Sequence, residues 1–381
     1  MEARLERRDP AASLTDDLFV GILSRLPARS VCCCKCVSPS WRRLISHPDH
    51  RKKLPQPLAG FLHTTLALAG RSTLSTAYRC AGVTGLDGRS FSFSPRCTGC
   101  GGDGAVLLDS CNGLLLWRCS QPGPHGGGGG RSGLFRYAVS NPATKKWVAL
   151  PDGGWGDHGR AAALLAFDPA ASSHFHVVEY LTNKISNFLM GILIYSSETG
   201  AWSFKKCGWG YSVELSVVRA TGVFLNGFLH THTSWGTIVA LDMKGESWKS
   251  IPVPCRAFSR CICMIHQTQG RLCLVTRNDD DALAMLIWVL EDYGKWTLKH
   301  TVRSLKLLER RNLCPYPDVY KLVAVHPDCN MMFFVFGADN TLMAYQMDRR
   351  EVRVICNLGP DCFPPYLPYV PFFGEFLADN K

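Results

Sequence analysis

Tyr137-Ala-Val-Ser-Asn-Pro-Ala-Thr-Lys-Lys-Trp147, Ile194-Tyr-Ser-Ser-Glu-Thr-Gly-Ala-Trp202, Val239-Ala-Leu-Asp-Met-Lys-Gly-Glu-Ser-Trp248 and Trp288-Val-Leu-Glu-Asp-Tyr-Gly-Lys-Trp296 share one pattern. Each is an apolar run, a polar turn and a second run that opens with a large residue. Apolar residues alternating on either side of a turn mark an antiparallel hairpin, because successive side chains of a strand point to opposite faces. A fifth, weaker copy is Ala344-Tyr-Gln-Met-Asp-Arg-Arg-Glu-Val352. The copies recur at intervals of about 50 residues, a propeller-like period.

Further strand pairs lie between these hairpins. They run from Val106 to Trp117 around Asn112-Gly113, from Leu164 to Pro169 and then Phe175 to Tyr180, and from Val223 to His230 around Asn226-Gly227. Others are Leu272 to Val275, then Leu322 to Pro327 followed by Met331 to Phe336. Four strands per period is one blade. Strands between Phe61 and Phe93 supply another blade or close the ring with the C-terminus, so about six blades are expected. A stacked pair of β-sandwiches is the alternative, but it does not by itself predict the recurring tryptophan. The glycine-rich stretch 120–133 has few side chains able to pack and reads as a flexible loop. It is no phosphate loop, since no Gly-Lys-Ser/Thr follows.

Ahead of this body stands a short helical head. Leu14, Leu18, Ile22 and Leu26 recur every four residues, with Phe19 and Leu23 widening the stripe. Thr15 is the expected cap, and Asp16 and Asp17 suit the positive end of the helix dipole. A second helical piece takes Ser30 as its cap and carries Val31, Cys34 and Val37. A third starts at Ser38-Pro39, carries Trp41, Leu44 and Ile45, and ends at His47-Pro48. Pro55 and Pro57 cannot continue a helix and mark the junction. The expected class is therefore multi-domain α+β: a short three-helix head followed by an all-β propeller-like domain. Residues 1–12 are expected to be a disordered N-terminus, 13–55 the helical head, and 56–381 the propeller. Three short helices bury too little to hide all of the head's apolar groups, so a partner is expected to cover them.

The chain has 381 residues, 46% hydrophobic and 19% charged, enough for a sizeable core. No apolar run reaches the ~18–20 residues of a membrane-spanning helix. The charged start lacks the apolar segment of a secretory signal, and the 18 cysteines are scattered or crowded, as in Cys32-Cys33-Cys34-Lys35-Cys36. Cytoplasmic or nuclear residence is expected, with cysteine used mainly as a small apolar residue. The net charge of +11 is dispersed rather than gathered into a stripe, so nucleic acid is not an expected partner.

The head, Leu14-Thr-Asp-Asp-Leu-Phe-Val-Gly-Ile-Leu-Ser-Arg-Leu-Pro27 with Ser30-Val-Cys-Cys-Cys-Lys-Cys-Val-Ser-Pro-Ser-Trp-Arg-Arg-Leu-Ile-Ser46, resembles the F-box motif. The body is similar to the F-box-associated propeller region of plant F-box proteins, through Phe167-Asp168-Pro169 with Val177-Val178 and Asn141-Pro142 with Trp147. The resemblance implies that the head binds the Skp-type adaptor of a cullin–RING (SCF) ubiquitin ligase, and that the body selects an unknown protein for ubiquitination. It places adaptor contacts at Leu14, Leu18, Ile22, Leu23, Leu26, Pro27, Val31, Val37, Trp41 and Leu44, some of which serve as internal core instead. This copy departs from the motif at Thr15, where Pro is usual, at Cys33, where a basic residue is usual, and at Cys32 and Cys34, where larger aliphatics are common. Smaller side chains there leave less area to bury.

Loops rich in aromatic residues and histidine are expected to grip the target: Trp155 and His158, Trp209 and Tyr211, His232 and Trp235. No cofactor, metal site or catalytic centre is expected. Cys97-x-x-Cys100 has a zinc-like spacing but no matching second pair, since Cys111 and Cys119 lie too far apart on strand-like sequence. Cys261-x-Cys263, His174-x-His176 and His230-x-His232 each read as one face of a strand. No Gly-x-Ser-x-Gly elbow is present. The second hypothesis is a small-molecule-binding or catalytic propeller carrying a vestigial F-box.

Overall fold

The computed structural model describes residues 14–26, 28–34, 37–47, 50, 53–54, 58–69, 73–83, 105–120, 135–153, 162–183, 188–206, 222–233, 236–254, 264–277, 284–292, 294–303, 320–327 and 329–374. The expected disordered N-terminus and the body of the glycine-rich loop lie outside them. The chain divides into two compact units, one of Met1–Pro57 with Pro169–Ser173 and the other of Leu58–Asp168 with His174–Lys381.

The first unit contains helical segments α1 (Asp16–Leu23), α2 (Ala28–Cys34) and α3 (Pro39–Ser46). The Thr15 hydroxyl accepts the Leu18 amide at 3.5 Å, and the Ser38 hydroxyl accepts the Trp41 amide at 3.2 Å with Pro39 at the first helical position. Each cap satisfies an amide that has no partner inside the helix. α2 starts two residues before Ser30, so that serine is not its cap. Phe19, Leu23, Val31 and Ile45 form a small core, and the Phe19 and Trp41 rings meet edge to face with centroids 4.2 Å apart.

The second unit is a six-bladed propeller, and no sandwich pair is present among the described residues. Five antiparallel four-stranded sheets follow one another: β3 to β6 (Ala105–Cys111, Leu114–Ser120, Phe135–Asn141, Lys146–Ala149) and β7 to β10 (Ala163–Ala166, His176–Thr182, Leu189–Ser196, Ala201–Lys206) begin the series. Next come β11 to β14 (Gly222–Leu225, Phe228–His232, Thr237–Asp242, Trp248–Pro252) and β15 to β18 (Met264–Thr268, Arg271–Arg277, Ala284–Asp292, Lys295–Arg303). β19 to β22 (Tyr320–Val325, Met331–Phe336, Thr341–Gln346, Glu351–Asn357) complete the five. The sixth blade joins both ends of the domain, because β1 (Gly60–Ala69) lies between β2 (Thr73–Gly82) and β23 (Cys362–Tyr369). β23 is its innermost strand. The inner strands β3, β7, β11, β15, β19 and β23 lie side by side in that order, and β23 returns to β3. The ring is closed.

This architecture explains the repeat. Each sequence copy is the third and fourth strand of a blade, and Trp147, Trp202, Trp248, Trp296 and Val352 all lie on outermost strands. The sixth blade has three strands among the described residues, so five copies are countable where six blades exist. Two of the tryptophans repeat the same contact: Trp202 Nε1 donates to the Pro151 carbonyl and Trp296 Nε1 to the Pro252 carbonyl, each at 2.8 Å. In both cases the acceptor follows or ends the outer strand of the preceding blade.

Blades are also stitched by tyrosines. Tyr78 donates to the Ala105 carbonyl and accepts the Leu107 amide, Tyr137 donates to Glu179 at 2.9 Å, and Tyr180 meets Thr231 at 2.8 Å. Beyond β23 the chain continues across the first four-stranded blade, where Asn141 Nδ2 donates to the Phe372 carbonyl at 2.8 Å. The Phe372 ring meets Phe167 edge-on at 5.3 Å.

Candidate functional site

In the head, the i, i+4 spacing sorts α1 into two faces. Phe19 and Leu23 point into the small core, whereas Leu18 and Ile22 are 59% and 52% exposed, with Leu14 at the helix entry also exposed. Val37, between α2 and α3, is exposed as well. An open depression of about 450 Å³ lies nearby, lined by Leu14, Phe19, Trp41 and Leu44, with Asp16 and Arg43 among its polar groups. An apolar stripe flanked by ionisable groups is a surface suited to a protein partner, and its chemistry offers burial rather than catalysis.

The expected adaptor contacts therefore separate. Leu14, Leu18, Ile22 and Val37 are exposed, Leu26, Trp41 and Leu44 are partly buried around the core, and Leu23 and Val31 lie within it. Pro27 lies outside the described residues. Lys53 forms a 3.0 Å ion pair with Asp17, and holds that carboxyl below its ordinary pKa by hydrogen bond and charge.

In the propeller, antiparallel order fixes which connections share a face. The first-to-second and third-to-fourth strand connections emerge on one side, and three of them are two-residue type I′ turns. Both residues have positive φ in each: Asn112 and Gly113, Asn226 and Gly227, Gln269 and Gly270. The second-to-third connections and the crossovers between successive four-stranded blades leave from the opposite side. The crossovers there are long, as from Ala149 to Ala163 and from Lys206 to Gly222. Those two gaps, and the one from His232 to Thr237, contain the six residues expected to grip a target or adjoin them. Five of the six, Trp155, His158, Trp209, Tyr211 and Trp235, lie outside the described residues. His232 ends β12 with its Nε2 buried and unpartnered, and burial holds its pKa below the ordinary imidazole value.

Among the described residues no group of three or more His, Cys, Asp or Glu side chains is placed to hold a metal ion. Cys97, Cys100, Cys261 and Cys263 lie outside them. Cys111 Sγ instead approaches the Phe167 carbonyl at 3.3 Å, and His230 Nδ1 the Val223 carbonyl at 3.2 Å. Sequence reasoning did not find the contact of Cys362 Sγ with His63 Nδ1 at 3.1 Å, because 299 positions separate them. It resembles a nucleophile and base, but both side chains are buried, burial pushes the thiol pKa up, and burial holds the imidazole pKa down. That favours a neutral pair over the thiolate that nucleophilic chemistry needs.

The first unit carries a helical segment with an exposed apolar stripe, and the second is a closed propeller. The F-box domain profile matches residues 12–53, and the profile described as F-box protein At3g26010-like, beta-propeller matches residues 78–361. The chain belongs to this F-box and β-propeller family. F-box protein At5g07610 of Arabidopsis thaliana is 24% identical over 310 residues, covering 75% of this chain and 70% of its own. Putative F-box/kelch-repeat protein At4g22430 of the same plant is 22% identical over 383 residues, covering 93% and 84%.

Proposed function

We propose that this chain is the substrate-recognition subunit of an SCF-type ubiquitin ligase. In this reading the three-helix head docks on a Skp-type adaptor, and through it on a cullin–RING assembly in the cytoplasm or nucleus. The propeller holds a target protein for ubiquitination, and the transfer chemistry belongs to other subunits. The observation that carries the reading is the stripe of Leu14, Leu18 and Ile22, exposed on the very segment that the F-box profile covers. Apolar side chains of this size contribute roughly 1.5–3 kcal/mol each on full burial, which gives a partner helix or groove a clear driving force.

The test is capture of purified Skp-type adaptor by the full chain, beside a Leu18→Asp, Ile22→Asp double variant. Because both residues are exposed, the variant keeps the head's core. Adaptor capture by the wild type and a loss of roughly a hundredfold or more in the variant are expected. A wild type that folds and captures no adaptor isoform would overturn the reading.

A further inference from the structure

The depression in the head has an apolar floor of Leu14, Phe19, Trp41 and Leu44, and its polar groups fall into two sets. One set is engaged within the head. The Ser40 hydroxyl shares a hydrogen bond with that of Ser38 at 2.8 Å, His50 Nδ1 meets the Leu44 carbonyl at 3.0 Å, and the His47 and His50 rings lie 5.0 Å apart. The other set is Asp16 and Arg43. Both are exposed, and among the described residues neither side chain has a hydrogen bond or an ion pair. Asp17, one position on, is instead neutralised inside the head by Lys53 at 3.0 Å.

Helix dipoles account for an acid in the first turn of α1 and a base in the last turn of α3. They do not account for both charges bordering one apolar depression without pairing. Opposite charges flanking apolar surface fix a partner's register, because burial supplies affinity while a misaligned partner sets like charges together. Leu14 belongs both to the depression and to the exposed stripe with Leu18 and Ile22, so one partner can cover the two.

We propose that Asp16 and Arg43 are charge-reading contacts for the adaptor. An adaptor segment lays an apolar side chain in the depression, with a cation against Asp16 and a carboxylate against Arg43. The proposal rests on the adaptor-docking reading and adds to it the chemistry of the partner's segment.

The test is the affinity of the full chain for purified Skp-type adaptor, measured by biolayer interferometry at about 50 mM and about 300 mM salt. The Asp16→Asn, Arg43→Gln variant, whose net charge is unchanged, should lose about fivefold or more at low salt and depend less on salt than the wild type. The reversed pair, Asp16→Lys with Arg43→Glu, should bind more weakly still. Asp16→Glu with Arg43→Lys keeps both charges and should restore binding together with its salt dependence. Circular dichroism and thermal melting establish that each variant is folded. Equal affinity of the wild type and the folded neutral variant, while Leu18→Asp with Ile22→Asp loses capture, would overturn this proposal and leave adaptor docking standing. Absence of capture by the wild type would overturn both. Self-association of the wild type that the neutral variant lacks, seen by analytical ultracentrifugation, would assign the depression to a second copy of the chain and also overturn the proposal.

Discussion

The head and the propeller place their large apolar residues in opposite ways. In the propeller, Trp117, Phe333 and Leu115 are at most 1% exposed, and successive blades close over one another's faces. In the head, Leu18 and Ile22 are more than half exposed on a helix only eight residues long. A propeller blade finds its cover in the next blade of the same chain, whereas a short helical unit is too small to cover both sides of α1. The lesson is that the same residue types are covered in one region and left exposed in the other, according to whether the chain supplies a neighbour.

Mutations that separate stability from binding test this contrast. The largest stability effect is expected at Trp117, which packs edge-on against Tyr78 and donates to Ser140 Oγ at 2.8 Å. Trp117→Ala should cost about 3–5 kcal/mol in denaturant unfolding of the propeller. A cost below about 1 kcal/mol would mean that the blade interface is not the propeller's main support.

Next comes Asp109, buried where β3 meets β7. Its two carboxylate oxygens accept the Ser110 and Leu165 amides, each at 2.8 Å, yet burial outweighs these bonds and raises its pKa from 3.8 to about 6. A folded-state pKa above the unfolded one means that the folded state binds more protons between the two values. Its contribution is therefore full below about pH 4 and lost as pH rises through about 6, a change of about 3 kcal/mol. Relative to wild type, Asp109→Asn should gain stability by about that amount between pH 4 and pH 7, measured by urea unfolding at each pH. A pH-independent difference between the two would refute this.

A smaller cost, about 1–3 kcal/mol, is expected for Gly113→Ala. Gly113 has φ of +90°, and its close neighbour is Phe372 of the C-terminal segment, which an added methyl group would displace. The atoms it meets are the Phe372 Cβ and amide nitrogen and the Val370 carbonyl oxygen, all of which Phe372→Ala keeps, so the double variant should show no relief, which a double-mutant cycle reads directly. The smallest stability change is expected for Leu18→Ala with Ile22→Ala, within about 0.5 kcal/mol. Adaptor capture should nonetheless fall. A large loss of stability there would erase the contrast between the two regions.

Much of the propeller was legible because its repeat is local: a hairpin of alternating residues announces itself within ten positions. The Asn-Gly turns were equally readable, while Gln269-Gly270 lacked the usual first residue and emerged only as a positive-φ turn. The start of α2 was displaced from Ser30, where a good capping residue was available but unused. The division of the head's leucines was half legible, since a period of four assigns residues to a stripe without saying which stripe faces inward.

The amino-acid sequence by itself determined the hairpins, the period of the blades, the capped helices and the excess of apolar residues in the head. These depend on neighbours a few positions apart, so pattern and propensity decide them. Only the tertiary structure decided that β23 enters between β1 and the ring axis, that Cys362 meets His63, that Phe372 crosses to Phe167, and that Leu18 and Ile22 rather than Leu23 stay uncovered. Each of these joins segments remote in the chain. Their pairing follows from closing the ring and filling the core, which no local stretch encodes.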